Sequence, residues 1–258
     1  HIMDPAEGWL ACGITGVGRL PEPEAIVDWL ESKMCSTNEL EGTTILVTAG
    51  GTQESIDPVR YIGNRSSGKM GYAIAEQAVR MGAKVILVSA PTSLPIPSGV
   101  DFISVDSAVS MQEAVEARYN DVNVVIMAAA VSDFRVLHKA EQKIKKMESM
   151  TIELVKNPDI LQGLGSKKNH QILVGFAAET EHVIKYGQDK VARKNLDMLV
   201  ANDVSKSNAG FNVDTNEGYF LYPDKEPKEM PNMKKSELAR HIPVSYTHLR
   251  AHETAANL

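Results

Sequence analysis

The densest group of residues that could bind an anion lies between positions 48 and 71, in TAGGTQESIDPVRYIGNRSSGKMG. Gly50 and Gly51 follow an apolar run, and such a turn after a strand is where open α/β sheets bind ligands. A plain tight turn explains two glycines equally well. Ser66 to Lys69 lead into a predicted helix, and the free amides at a helix N-terminus attract anions. Ordinary helix capping by Ser66 or Ser67 is the alternative explanation of these residues. The predicted phosphate-binding residues are Ser66, Ser67, Gly68 and Lys69, with Arg60 and Arg65 nearby.

The stretch from Gly63 to Lys69 also has the GxxxxGK spacing of a phosphate loop. Met70 stands where a phosphate loop needs Ser or Thr for magnesium, and Pro58 interrupts the buried strand that should come first. The sequence therefore predicts an anion site at a helix N-terminus, and no P-loop.

A second candidate is AAAVSDF at 128–134, which also follows an apolar run. Its small side chains, including Ala130, leave room for a base or a ribose. Asp133 could accept hydroxyl hydrogen bonds or hold a magnesium ion, although an N-cap role is the simpler explanation of this residue. In KNPDIL, Pro158 suits the first turn of a helix.

Three lysines and an aromatic residue complete the candidates. Phe176, at the end of another strand, could pack against a base. Lys190 and Lys194 are four residues apart on one predicted helix face, so that both could reach the same anion. Lys143 belongs to the charged segment EQKIKK. A solvated charged face is the alternative for all three lysines.

Alternating apolar runs and helical patterns predict the elements that position these residues. Continuous apolar strands indicate burial on both faces, as in a parallel sheet covered by helices. We predict an α/β fold: a Rossmann-like, doubly wound, mostly parallel sheet with helices on both faces, in a single domain with a flap. Residues 143–156 are predicted to form a hairpin or the flap, and 218–223 a late strand at an edge or in a subunit interface. The predicted strands are 44–48, 84–89, 102–105, 122–128, 172–176 and 198–201, and the predicted helices are 70–81, 108–119, 158–164, 181–194 and 234–242.

Composition excludes several classes of protein. The 258 residues carry a formal net charge of −6, which argues against a nucleic-acid binder. Two cysteines fit a reducing compartment, so that we expect a cytoplasmic protein. No apolar run approaches the roughly 20 residues that a membrane helix needs. None of the seven histidines forms a zinc spacing with cysteine or carboxylate, and His248 and His252 share only a helical spacing near the C-terminus.

Residues 43–242 resemble phosphopantothenate-cysteine ligases, the synthetase half of a bacterial bifunctional flavoprotein that also decarboxylates phosphopantothenoylcysteine. Five ordered blocks carry the resemblance. They are TAGGTQESIDPVRYIGNRSSGKMG, AAAVSDF with KIKK, VKNPDIL, VGFAAET and KVARKNLDMLVANDV.

The resemblance implies an enzyme that joins 4'-phosphopantothenate to cysteine through an acyl-cytidylate, with magnesium, CTP as co-substrate and a homodimeric assembly. It implies that Lys143 serves the first step and that Arg60, Asn64 and Ala130 lie on the pantothenate side. The amide of Asn64 could donate to the acyl carbonyl without adding charge, whereas a turn asparagine is the structural alternative. The implied nucleotide-binding residues are Ser66, Ser67, Gly68, Lys69, Asp133, Lys143, Pro158, Asp159, Ile160, Leu161, Phe176, Lys190 and Lys194.

The resemblance also divides the chain. Residues 1–40 are expected to be a remnant of a decarboxylase domain tail plus a linker, 41–242 the ligase domain, and 243–258 a disordered or vector-derived tail. The segment 8–26 is too short to hold a flavin, so that we expect no FMN. Two alternatives remain: an NAD(P)-dependent oxidoreductase, although no GxGxxG follows the first strand, and a non-catalytic nucleotide-binding protein. The choice between CTP and ATP stays open.

Overall fold

One eight-stranded sheet forms the centre of the computed structural model, which describes residues 2–34, 37–179, 181–203 and 215–243. The strands are β1 (Ala6–Trp9), β2 (Thr15–Arg19), β3 (Thr44–Ala49), β4 (Gln53–Ser55), β5 (Tyr61–Gly63), β6 (Lys84–Ser89), β7 (Val100–Ser104), β8 (Val124–Met127), β9 (Phe134–Val136), β10 (Leu154–Lys156), β11 (Ile172–Glu179), β12 (Met198–Asp203), β13 (Thr215–Leu221) and β14 (Lys228–Lys234). The helices are α1 (Pro23–Met34), α2 (Lys69–Arg80), α3 (Ala108–Glu116), α4 (Ile160–Ser166), α5 (Val183–Arg193) and α6 (235–243), and Tyr119–Asp121 form a single 3-10 turn.

The strand order in this sheet is β14-β13-β12-β11-β8-β3-β6-β7. All neighbours from β12 to β7 are parallel, whereas β13 and β14 are antiparallel additions. The predicted mostly parallel α/β sheet is therefore confirmed. The late strand predicted at 218–223 is β13. It was predicted at an edge or in a subunit interface, but it lies inside the sheet between β12 and β14.

Apolar residues cover both faces of the sheet, as the continuous apolar strands predicted. Ile45 and Val47 of β3 pack into a core with α2 and α6. Leu46, between them, points to the opposite face and packs with side chains of α3, α4 and α5. Successive side chains of a strand alternate between faces, so each central strand must be apolar throughout to bury both. The carboxyl ends of the parallel strands are left at one edge of the sheet.

The helices begin close to their predicted starts, with one correction. Asp159 is the N-cap of α4, and its side chain accepts a hydrogen bond from the Gln162 amide at 3.0 Å. Pro158 therefore precedes the helix and does not occupy the predicted first turn. Helix α2 begins after Gly68, which has a left-handed conformation (φ 76°) and makes no side-chain cap. The alternative explanation, in which Ser66 or Ser67 caps this helix, is therefore not supported, although Ser66 Oγ accepts from the Gly68 amide at 3.3 Å.

Two small antiparallel ribbons lie outside the main sheet. Strand β4 pairs with β5, and β9 pairs with β10. Strand β5 contains the first glycine of the GxxxxGK spacing, and it pairs antiparallel in a two-stranded ribbon. A phosphate loop follows a buried strand of the main sheet, so this spacing is not a P-loop. The segment 143–156, predicted as a hairpin or the flap, comprises the later part of the connection from β9 to β10 and β10 itself.

No side chain of residues 2–34 whose burial is described belongs to either core. Strands β1 and β2 form a hairpin followed by α1, and no residue of this segment whose burial is described is buried. Among the residues whose burial is described, Leu40 is the first that is buried, at 0% exposure, and its amide donates to Met81 O at 2.9 Å. In the part of the chain that the structure describes, no helix is both long and apolar enough to cross a membrane.

A chain that begins at Thr37 is expected to fold like the full chain, because none of the removed side chains whose burial is described is buried. Its melting temperature should change by less than about 4 °C, the shift that 1 kcal/mol produces in a domain of this size. The matched control begins at Glu41 and lacks Leu40. Losing that buried leucine should cost about 1.5–3 kcal/mol and lower the melting temperature further. Circular dichroism melts measure both, and equal melting of the two fragments would contradict the boundary.

Candidate functional site

Hydrogen bonds between the loops after β3 and β8 build the floor of the candidate site. The Ala130 amide donates to Gly50 O at 2.8 Å, and Ala130 O accepts from the Thr52 amide at 3.2 Å. Thr52 Oγ1 accepts from the Ser132 amide at 2.9 Å, and Thr48 Oγ1 from the Ala129 amide at 3.1 Å. Both threonines are fully buried. The AAAVSDF loop is therefore fixed to the turn after β3, beside the N-terminus of α2.

The glycines of this turn serve close packing of the protein itself. Gly50 has φ 80°, and a Cβ there would lie 2.5 Å from Ala90 O. A Cβ on Gly51 would lie 2.9 Å from Asn64 O. A side chain at either position would collide with backbone, so the plain turn explains these glycines without a ligand.

A main cavity of about 660 Å³ opens at the carboxyl edge of the sheet. It extends from the N-terminus of α2, across the ends of β8 and β11, to the ends of β12 and β13. The predicted site residues on its wall are Asn64, Ser66, Ser67, Gly68, Lys69, Ala130, Asp133, Phe176 and Lys190.

A side cavity of about 230 Å³ adjoins the main cavity, because Ala129, Val131, Asp133 and Phe176 line both. The two adjoining cavities share Asp133 and Phe176 on their walls, and we call the pair the cleft. The predicted residues found only on the side cavity are Pro158, Asp159, Ile160, Leu161 and Lys194.

Lys190 and Lys194 do not face the same cavity, which corrects the prediction that they share one anion. Lys190 Nζ donates to Glu179 Oε1 and lines the main cavity. Lys194 Nζ lies 2.9 Å from Asp159 Oδ2 and lines the side cavity. Burial raises the pKa of Asp159, but the hydrogen bonds from Lys194 and from the Gln162 amide outweigh it, so that the net shift is downward. Asp159 is therefore ionised, and it orients the Lys194 ammonium.

Arg60 and Lys143 meet in a separate cavity of about 280 Å³, which we call the Arg60 cavity. Its other lining residues are Ile144, Lys145 and Lys146, so that its charged lining is entirely cationic. Such a cavity suits a phosphate or a carboxylate. The structure does not bring Lys143 onto the wall of the main or the side cavity.

Asp57 holds the Arg60 cavity together. This buried carboxylate accepts from Arg60 Nη1 at 3.0 Å and from the Ile144 amide at 3.1 Å. Burial raises its pKa, but hydrogen bonds from the amides of Val59, Ile144 and Arg60 and the Arg60 charge bring the net shift below the usual value. Asp57 therefore fixes both the guanidinium and the start of the flap.

Asn64 connects the cleft with a further cavity of about 490 Å³, the Tyr61 cavity, which Ser66, Ser67 and Lys69 also line. Asn64 Nδ2 donates to Val131 O at 3.2 Å. This contact uses one of the two amide hydrogens, and the second remains available to a ligand.

The sequence reasoning missed several residues that line or stabilise these cavities, and four of them bear on the site. Asp57 stabilises the Arg60 cavity, and Asn202, Asn216 and Lys235 line the main cavity. Asn202 stands in VANDV at the end of a predicted strand, a position that could have marked it. No comparable sequence signal marks Asn216 and Lys235. The antiparallel strands that bring them to the cavity lie far along the chain from the other site residues.

Known proteins resemble this chain over most of its length. The family model for the DNA/pantothenate metabolism flavoprotein C-terminal domain matches residues 40–248. The coenzyme A biosynthesis bifunctional protein CoaBC of Bacillus subtilis is 48% identical over 245 residues, which cover 93% of this chain and 60% of that protein. CoaBC of Escherichia coli K12 is 45% identical over 244 residues, with the same coverage.

A solved structure supports the same relationship. The crystal structure of the C-terminal domain of CoaBC superimposes with a TM-score of 0.73 at 44% identity, and covers 84% of this chain and 100% of that domain. The chain spans about 60% of the length of the two curated relatives. On sequence and structure alike, it belongs to the DNA/pantothenate metabolism flavoprotein C-terminal domain family.

Proposed function

We propose that this chain is a phosphopantothenate-cysteine ligase of coenzyme A biosynthesis that uses CTP. The observation that carries this proposal is the cleft formed by the two adjoining cavities, because it gathers nearly all of the predicted nucleotide-binding residues from blocks more than 100 positions apart. A cleft at the carboxyl edge of a parallel sheet is where such folds bind nucleotides. The membership of the family supports the same conclusion.

The chemistry of the walls suggests how the nucleotide lies. Phe176 and the small residues of the β8 loop suit the base and the ribose, close to the side cavity. Asp133 suits the ribose hydroxyls or a magnesium ion. Ser66 to Lys69 at the N-terminus of α2, with Lys190, suit the phosphates. Lys194, oriented by Asp159, suits a polar group of the base.

The reaction that we propose has two steps. A carboxylate oxygen of phosphopantothenate attacks the α-phosphorus of CTP, the bond to the β-phosphate breaks, and pyrophosphate leaves. The cysteine nitrogen then attacks the acyl carbon, the acyl-phosphate bond breaks, CMP leaves, and the nitrogen loses its proton to solvent. No protein nucleophile is needed, so that the side chains act by placing two anions together and neutralising charge. Magnesium, when bound, would neutralise the phosphates and the departing pyrophosphate.

We also propose a cytoplasmic homodimer, with a second copy covering the ribbons. Five large apolar side chains on or beside the ribbons are between 41% and 60% exposed. Apolar surface concentrated in one region is typical of an interface. These residues are Val59, Tyr61, Phe134, Leu137 and Leu154.

Pyrophosphate release from phosphopantothenate, magnesium and CTP is expected before cysteine is added, because the first step does not involve cysteine. CMP should appear only after cysteine is supplied. A rapid-quench time course with each of the four nucleoside triphosphates measures both products and fixes the nucleotide preference. If pyrophosphate is released only when cysteine is present, the acyl-nucleotide intermediate is contradicted. Calorimetry that detects NADH binding but no triphosphate binding would favour an oxidoreductase.

A further inference from the structure

Two asparagines at the far end of the main cavity have unsatisfied amide oxygens. Asn216 is only 2% exposed, and Asn202 is half-buried. Within residues 2–34, 37–179, 181–203 and 215–243, the Oδ1 atoms of both lack a hydrogen-bond partner. Both residues line the main cavity. A buried acceptor without a partner is costly, and this cost points to a missing ligand in the cavity.

The strand register places both side chains on one face, near each other. Val200 pairs with Phe220, and both pack in the core that contains α2. Two residues further along β12, Asn202 pairs with Gly218, so that it lies on the same face as Val200. Burial alternates along β13 so that Asn216, Gly218 and Phe220 share a face. Asn202 and Asn216 are thus diagonal neighbours, whose Cα atoms typically lie about 7–8 Å apart.

The charges of the main cavity suit a polyanion. Among the described residues, Arg65, Lys69, Lys190 and Lys235 line it, and Asp133 is the one acidic residue. Lys69 and Lys235 are the first residues of α2 and α6, so two helix N-termini adjoin the cavity. Helix N-termini favour phosphate groups. Ionised phosphate oxygens have no hydrogen to donate, however, and therefore cannot satisfy two amide oxygens.

A divalent cation on the phosphates would satisfy these oxygens. We propose that Asn202 and Asn216 bind the magnesium ion that accompanies the nucleotide's phosphates, through their amide oxygens or through water on the ion. Magnesium takes oxygen ligands at about 2.0–2.1 Å and is commonly shared between protein and phosphates. Neutral amides also suit this position because carboxylates there would pair with the lysines. Asp133 is exposed at the junction with the side cavity, and it is left to bind the ribose hydroxyls.

This inference rests on the proposed nucleotide-binding function, and calorimetry can test the two separately. The full chain and its Asn216→Leu variant are titrated with three ligands. These are CTP in the presence of magnesium, CTP in the presence of EDTA, and CMP. In the variant, we expect affinity for CTP in magnesium to fall by about 10-fold or more, as for other residues that support a metal. Affinities for CTP in EDTA and for CMP should stay within about twofold, since neither ligand carries the metal-bound phosphate tail. Mn²⁺ affinity at saturating CTP, measured from the EPR signal of free Mn²⁺, should fall in parallel.

Asn216→Asp keeps an oxygen ligand, although this carboxylate can also pair with the lysines, so it should bind Mn²⁺ more tightly than Asn216→Leu does. This variant also answers the question if Asn216→Leu fails to fold, which circular dichroism shows. An equal loss for all three ligands in Asn216→Leu would mean that Asn216 contacts the base or the sugar, and would overturn the proposal. Unchanged Mn²⁺ affinity in Asn216→Leu would overturn it too. A full chain that binds no triphosphate would instead contradict the proposed function.

Discussion

Lys143→Gln is expected to slow single-turnover pyrophosphate release by about 100-fold or more, the usual cost of removing one donor to a developing charge. Lys143 is an exposed residue that lines a cavity together with Arg60, and the described charged residues of this cavity are all cationic. Glutamine keeps much of the length and polarity but removes the charge. The affinity for CTP should fall much less, because Lys143 does not line the cleft that we assign to the nucleotide.

Lys139→Gln is the matched control, since this exposed lysine lies in the same connection and lines none of the four cavities. Its pyrophosphate release should match that of the unchanged chain. Rapid-quench measurement at saturating substrates distinguishes the two variants. If Lys143→Gln behaves like Lys139→Gln, Lys143 is an ordinary solvated charge and has no part in the first step.

Asn64→Asp is expected to slow the second step by at least about 10-fold more than the first, so that acyl-cytidylate accumulates. In the structure, Asn64 lies where the main cavity meets the Tyr61 cavity, and its amide donates to Val131 O. Aspartate removes this donor and places a negative charge beside the α-phosphate and the acyl carbonyl. The acyl carbon then loses its polarising hydrogen bond when cysteine attacks.

Asn64→Ala serves as the control, because it removes the donor without adding a charge. We expect it to slow the second step less than Asn64→Asp does. Mass spectrometry of quenched reactions detects the intermediate directly. Equal loss of both steps, with no intermediate trapped, would assign Asn64 to the structure of the loop through its bond to Val131 alone.

The central sheet could be predicted from sequence because each parallel strand must be apolar on both faces. Ile45, Leu46 and Val47 are consecutive buried residues that serve two different cores. The small ribbons escaped prediction, since strands β4, β5, β9 and β10 have only three residues each. Such short segments carry too little alternation to be recognised.

The sequence by itself determined the family, the α/β class and most residues of the cleft, because those residues sit in local blocks at the ends of apolar strands. Tertiary structure decided which blocks share a cavity. It separated Lys190 from Lys194, since each has its own carboxylate partner. It also brought Asn216 to the cleft, through the antiparallel pairing of β13 with β12. Spacing along a chain reports one element at a time, whereas contacts between distant strands depend on how the whole sheet pairs and packs.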